Sequence, residues 1–311
     1  MFDEEPKLQR ELKTHQYFTL AFGAIVGVGW IIVMSVWLGA AGPLGASAAF
    51  GVSGVLMTSV GLIIGKLAER YPVTGGAVAY AHNIFGPRTS FLIGWFMALT
   101  YIGASAFSAI SAAWVLETLV PALRGPVLYN VLDYDVTLGS VLAGLSLQTF
   151  IVVTNLRGAG SAGWLQDMIT FGLLAIGVLI IGAAFLKGDP ANLDPLIGRS
   201  DGGEDVLAGI MVVLAMTPFF LAGFDVIPQA MGERKAGFNL SAIGPVIVAA
   251  ILIAMVFYVS VIFATSMLLP RRDVLGMDLP VAGAFAEGFG TPLAGKVVLA
   301  CGFLGVMSSW N

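Results

Sequence analysis

Long apolar windows, each closed by a charged residue, organise this chain. A hydrocarbon layer about 30 Å thick takes roughly 20 helical residues to cross, and eight windows are that long or nearly so. Span one runs from about Phe18 to Leu38 and span two from Leu44 to Leu67, with Gly39 to Gly45 as the turn. Span three covers about Phe91 to Leu116. Span four lies between Asp135 and Arg157, span five between Asp167 and Lys187, and span six between Asp205 and Gly232. Span seven fills about Ile243 to Leu269. Span eight begins near Ala294 and is still apolar where the sequence stops at Asn311. The pattern therefore predicts an all-α integral membrane chain truncated within its eighth transmembrane helix.

Two windows are irregular. The stretch Thr217 to Pro228 carries two prolines, a glycine between aromatics and the carboxylate of Asp225. Proline removes a backbone donor and clashes with the preceding turn, so the helix is expected to break here. Gly23 to Gly29, with three glycines in seven residues, is the second expected break. Freed backbone groups are tolerated at membrane depth only where they face protein or a water-filled cavity. A pair of interrupted spans marks a transporter substrate site.

Composition agrees with the windows. Of 311 residues, 58% are hydrophobic and 11% charged, and the mean hydropathy of +0.91 excludes a soluble domain. The net charge of −4 is uninformative, because placement of charge rather than its sum orients a membrane protein. With an inside N-terminus, Lys7, Arg10, Lys13, Lys66, Arg70, Arg88, Arg157, Arg234 and Lys235 face the cytoplasm. Arg124, Lys187, Arg199, Arg271, Arg272 and Lys296 face outward, nine against six. Residues 1–16 read as a retained cytoplasmic tail, since no small-residue cleavage site follows them. The single cysteine, Cys301, sits in an apolar window and reads as a buried packing residue. A membrane-embedded enzyme would need clustered His, Asp or Glu within the spans. The two histidines, His15 and His82, fall instead in the tail and in the connection between spans two and three.

The run from Leu62 through Lys66, Glu69 and Arg70 into YPVTGGAVAY, followed by Phe85-Gly86-Pro87, resembles the second-to-third helix region of the amino acid-polyamine-organocation (APC) transporters. Gly23 to Gly29, Asn155-Leu156-Arg157-Gly158 and the span-six run FFLAGFDVIPQAMGERK agree in order, so the similarity covers nearly the whole chain. The resemblance implies a LeuT-like fold of two inverted five-helix repeats, with helices one and six unwound at the bilayer midplane. Here residues 17–190 would form the first repeat and 191–311 part of the second. It implies a secondary active transporter of amino acids or related amines in the cytoplasmic membrane of a prokaryote. No cofactor or nucleic acid is expected beyond a coupling proton or sodium ion, and a homodimer is left open.

Residue roles follow from the same resemblance. The amides around Gly27, Val28 and Gly29 would hold a substrate carboxylate, as free N–H groups at a half-helix start suit an anion. Carbonyls near Ile25 and of Phe219, Phe220 and Ala222 would receive the ammonium. Phe219 would be an aromatic gate over the substrate, and Trp30 is a candidate for the pocket wall. For the glycines, close helix packing is the bland alternative.

A carboxylate deep in a span is costly and usually serves an ion or proton path, so Asp225 is the candidate for proton coupling. The alternative is a structural cap for the second half-helix. Some relatives place a lysine in helix five where a sodium ion would otherwise sit; the matching position here is Leu173. Ser308 and Ser309, with carbonyls of Gly23 and Val26, are the candidate sodium site, hard oxygen ligands that suit such a cation. Asp167, beside Gln166 at the start of span five, reads as interfacial. Small span-three residues, Gly103, Ala104, Ser105 and Ser108, would leave room for a substrate side chain. Proton symport is the favoured reading; sodium symport, exchange of one amino compound for another, and a non-transporting receptor are the alternatives.

Overall fold

The computed structural model describes residues 11–131, 134–198 and 205–311. Lys7, Arg10 and Arg199 lie outside them, as does most of the expected tail. In chain order the helices are α1 (Thr14–Ile25), α2 (Gly29–Ile32), α3 (Met34–Arg70), α4 (Gly76–Phe85) and α5 (Pro87–Leu119). A hairpin of β1 (Val127–Val131) and β2 (Tyr134–Thr137) follows. Then come α6 (Leu138–Leu156), α7 (Ala159–Lys187), α8 (Val206–Leu221), α9 (Val226–Gln229), α10 (Ile243–Leu268), α11 (Arg271–Leu275), α12 (Pro280–Phe289) and α13 (Pro292–Trp310). Among the described residues, eight stretches are long and apolar enough to cross a membrane, the number expected.

The turn between spans one and two is shorter than expected. α3 runs from the end of span one through span two, bent at Gly42, whose φ of 71° and ψ of 175° only glycine takes without strain. Pro43 then restarts the helix, where its missing N–H costs nothing. The antiparallel hairpin after span three was not expected either; it pairs Asn130 with Asp135 and Val131 with Tyr134.

Both interruptions form, each narrower than the sequence suggested. The first spans residues 26–28, between α1 and α2, with Val33 a second, single-residue departure from helical geometry. The second spans residues 222–225. Pro218 does not break α8. The Leu214 carbonyl that loses its amide partner to Pro218 accepts from the Thr217 hydroxyl at 3.1 Å, and Ser53 holds that hydroxyl at 2.5 Å. Pro228 falls in the first turn of α9, where proline is tolerated.

The span ends collect at two faces. At one, Glu11 and Leu12 each donate a backbone N–H to the Glu233 carbonyl at 3.0 Å, and Lys235 donates to Leu12 at 3.0 Å. Leu12 is buried, and α1 begins at Thr14, so residues 11–16 are built into the fold rather than hanging from it. Arg234 donates to the Pro72 carbonyl, and Tyr17 to that of Ala230. On the same face His15 meets Asp167 at 3.2 Å, and Thr19 donates to Asp167 at 2.6 Å. At the opposite face Leu44 donates to Leu196, Gly198 to Ala41, and Asp189 to Met267. Between these faces the core is a packed set of aromatic and aliphatic side chains on α1, α3, α8, α10 and α13.

Candidate functional site

The two interruptions lie back to back. Gly223 has a φ of 119°, and a Cβ there would stand 2.8 Å from the Ala24 carbonyl carbon and 3.0 Å from the Ile25 nitrogen. Only glycine lets the backbones approach this closely. The N–H groups of Gly27, Val28 and Gly29 donate no backbone hydrogen bond to a described residue, and the carbonyls of Phe219, Phe220 and Ala222 accept none. The break therefore presents unpaired donors on one side and unpaired acceptors on the other, a set that matches both ends of a zwitterion.

Ile25 differs. Its carbonyl already accepts from the Tyr258 hydroxyl of α10 at 3.0 Å, and Tyr258 is 1% exposed. Sequence reasoning missed Tyr258, although a tyrosine deep in so apolar a window needs a polar partner. Tyr258→Phe keeps the ring and strands the carbonyl, and should lower stability by about 1–3 kcal/mol. Thermal unfolding of the purified protein reads this, and an unchanged unfolding temperature would refute the role.

The aromatic pair at the end of α8 divides its duties. Phe220 lies over Gly29, where a Cβ would meet its ring at 2.4 Å, and packs on Trp37 with centroids 4.9 Å apart. Trp37 and Tyr258 in turn enclose Phe50. Phe219, the residue expected as a gate, is 76% exposed and touches Phe220 edge to face. Trp30 is fully buried against Phe257, so it faces core rather than lipid.

Asp225 is the last residue of the second break, and its carboxylate does not cap α9. It accepts from the Tyr101 hydroxyl of α5 at 2.6 Å and from the Gln229 amide at 3.1 Å, while Gln229 also donates to Tyr101. The three form a closed polar group joining span three to the second half of span six. Of the small span-three residues, Ser105 is engaged elsewhere, donating to Gln148 and accepting from Trp310. Ser108 is buried, and Gly103 and Ala104 are exposed.

Of the four residues expected to hold sodium, Ser308 and Ser309 both face the first broken helix from α13. Ser309 donates to its own helix at Val306 and faces Gly27. Ser308 faces Gly23 directly, and two side chains of α7, Gln166 and Thr170, meet its hydroxyl beside that glycine. Gly305 packs against the carbonyls of Val26 and Gly27. Leu173, the position matched to a lysine in some relatives, is buried and contributes its carbonyl to the Cys301 thiol.

Eight stretches long and apolar enough to cross a membrane, two of them broken and in backbone contact at Gly223, define an all-α integral membrane protein of the LeuT-like class. The chain belongs to the amino acid permease family, whose model matches residues 12–311. It is 28% identical to the amino-acid permease RocC of Bacillus subtilis over 76% of its own length and 49% of that protein's. The gamma-aminobutyric acid permease of the same organism is 24% identical over the whole chain and 64% of its own length. Its branched-chain amino acid permease BcaP is 23% identical over 89% and 59%. The chain thus spans about half to two thirds of the length of these curated relatives.

Proposed function

We propose that the protein moves amino acids or related amines across the cytoplasmic membrane by alternating access, in symport with protons. Family membership supports the substrate class, and the carrying observation is the pair of facing breaks with their unpaired donors and acceptors. In this reading the amides of Gly27, Val28 and Gly29 hold the carboxylate. The carbonyls of Phe219, Phe220 and Ala222 hold the ammonium, with that of Ile25 contributing its second lone pair. Phe219 closes over the substrate. The N-terminus lies in the cytoplasm, and residues 17–190 and 191–311 belong to two inverted repeats, each opening on a broken helix.

Asp225 carries the proton. Ionised, it accepts from Tyr101 and Gln229 together; protonated, it has a hydrogen to donate, and the three groups must rearrange. Because they bridge α5 and α9, that rearrangement bears on how the second half-helix sits against span three. The relatives are named for substrates that range from gamma-aminobutyric acid to branched-chain amino acids, so the substrate itself is best found by a panel.

Uptake of radiolabelled amino acids into proteoliposomes, with proton and sodium gradients imposed separately, tests the reading. Accumulation is expected to follow the proton gradient. Flux only against preloaded internal amino acid would make the protein an exchanger, and saturable binding without flux would make it a receptor.

A further inference from the structure

Beside Gly23 and Ser308, two residues of the expected sodium site, the structure places a further side chain, that of Gln166. The Gln166 side-chain nitrogen lies 3.0 Å from the Thr19 carbonyl oxygen, 3.2 Å from the Thr170 hydroxyl and 2.7 Å from the Ser308 hydroxyl. Gln166 is 1% exposed, Thr19 and Thr170 are fully buried, and Ser308 is 3% exposed. Thr170 also reaches the Thr19 carbonyl at 3.2 Å and Ser308 at 3.0 Å. The oxygens come from α1, α7 and α13, so one amide ties together three separate helices.

Chemistry fixes the orientation of this amide. A backbone carbonyl only accepts, so the atom facing Thr19 must be the NH2 group. The other end agrees, because the Gln166 oxygen accepts from the Asn311 amide at 3.0 Å, and Asn311 also donates to Ala162. The distances are those of hydrogen bonds. Calcium, close to sodium in radius, takes its oxygens at about 2.3–2.6 Å. A cation at this point would have to displace the amide nitrogen. Gly23 has the complementary role: a Cβ there would stand 2.0 Å from the Ser308 oxygen and 2.1 Å from the Gln166 nitrogen. Its missing side chain leaves room for the carboxamide against the first helix.

We infer that the Gln166 carboxamide is the permanent occupant of an oxygen cage formed by Thr19, Thr170 and Ser308, so that the native protein takes up no sodium there and removing the amide uncovers a monovalent-cation site. The residues fit a neutral donor and do not fit sodium while Gln166 is present. The inference rests on reading the chain as an ion-coupled transporter, but its test reads binding alone and stands apart from what drives uptake.

Binding of radioactive sodium to the detergent-purified protein, at constant ionic strength with choline as the replacement ion, decides it. The native protein is expected to show no saturable binding, and Gln166→Ala to gain saturable binding that Gln166→Ala combined with Ser308→Ala loses. Saturable binding to the native protein that Ser308→Ala abolishes would overturn the inference. So would a folded Gln166→Ala protein that binds no sodium. Should Gln166→Ala fail to fold, the near-isosteric Gln166→Glu places an anion among the same oxygens. At alkaline pH its unfolding temperature is expected to rise when sodium replaces choline, with no such rise for the native protein. Equal temperatures in the two salts for Gln166→Glu would also overturn it.

Discussion

Gly223→Ala is expected to abolish uptake and to lower the unfolding temperature more than any other single methyl addition at the breaks. Two costs combine. With φ at 119°, an L side chain at this position is strained by about 1–3 kcal/mol whatever surrounds it. The new methyl would also meet the Ala24 carbonyl carbon and oxygen at 2.8 and 2.9 Å and the Ile25 nitrogen at 3.0 Å. These neighbours are main chain and cannot rotate away, so the two interrupted helices must separate. Gly27→Ala is the informative contrast. Its nearest neighbour is the Ser309 hydroxyl at 3.1 Å, a side chain with freedom to move, and its effect should be much smaller. Thermal unfolding in detergent and uptake in proteoliposomes read both variants. A Gly223→Ala protein with native unfolding temperature and native uptake would mean that the backbones do not meet as described.

Asp225→Asn should leave the fold intact and reduce proton-driven accumulation by at least about tenfold, which is roughly 1.4 kcal/mol or more in the barrier. The asparagine oxygen still accepts from Tyr101 and Gln229, so the hydrogen-bonded link between α5 and α9 survives while the titratable proton is lost. Exchange of external label for internal unlabelled substrate needs no net proton movement and should persist. That split between accumulation and exchange separates a proton carrier from a structural carboxylate. Accumulation at the native level in Asp225→Asn would end the carrier assignment. Accumulation and exchange lost together, with the unfolding temperature unchanged, would place Asp225 in substrate binding instead.

The breaks were visible in the sequence because glycine, proline and a carboxylate are conspicuous inside an apolar window. Their edges were not. Pro218 looked like the point of rupture, yet the Thr217 hydroxyl satisfies the carbonyl that the proline abandons, and Ser53, 164 residues away, holds that hydroxyl. A substitution of one hydrogen-bond donor for another leaves no trace in periodicity. Asp225 was legible as an intramembrane acid, whereas Tyr101, 124 residues earlier, could be joined to it only by the fold that brings its hydroxyl from α5 to the second break. Ser308 was noticed as an oxygen ligand, but its partner Gln166 was passed over for the same reason, at a separation of 142 residues. Matching positions along helix five led to Leu173, because alignment counts residues and takes no account of how far a side chain reaches.

The main-chain bridge of Glu11 and Leu12 to Glu233 and Lys235 has an evolutionary consequence. The joint couples the approach to the first broken helix with the exit from the sixth through peptide groups alone, and peptide groups are common to nearly every amino acid. Side chains at positions 11 and 235 are therefore free to drift among descendants without loosening it. Proline alone is barred from positions 11, 12 and 235, because each donates its N–H. A comparison of many such chains would score this joint as variable, and its mark would be the one residue that never appears there.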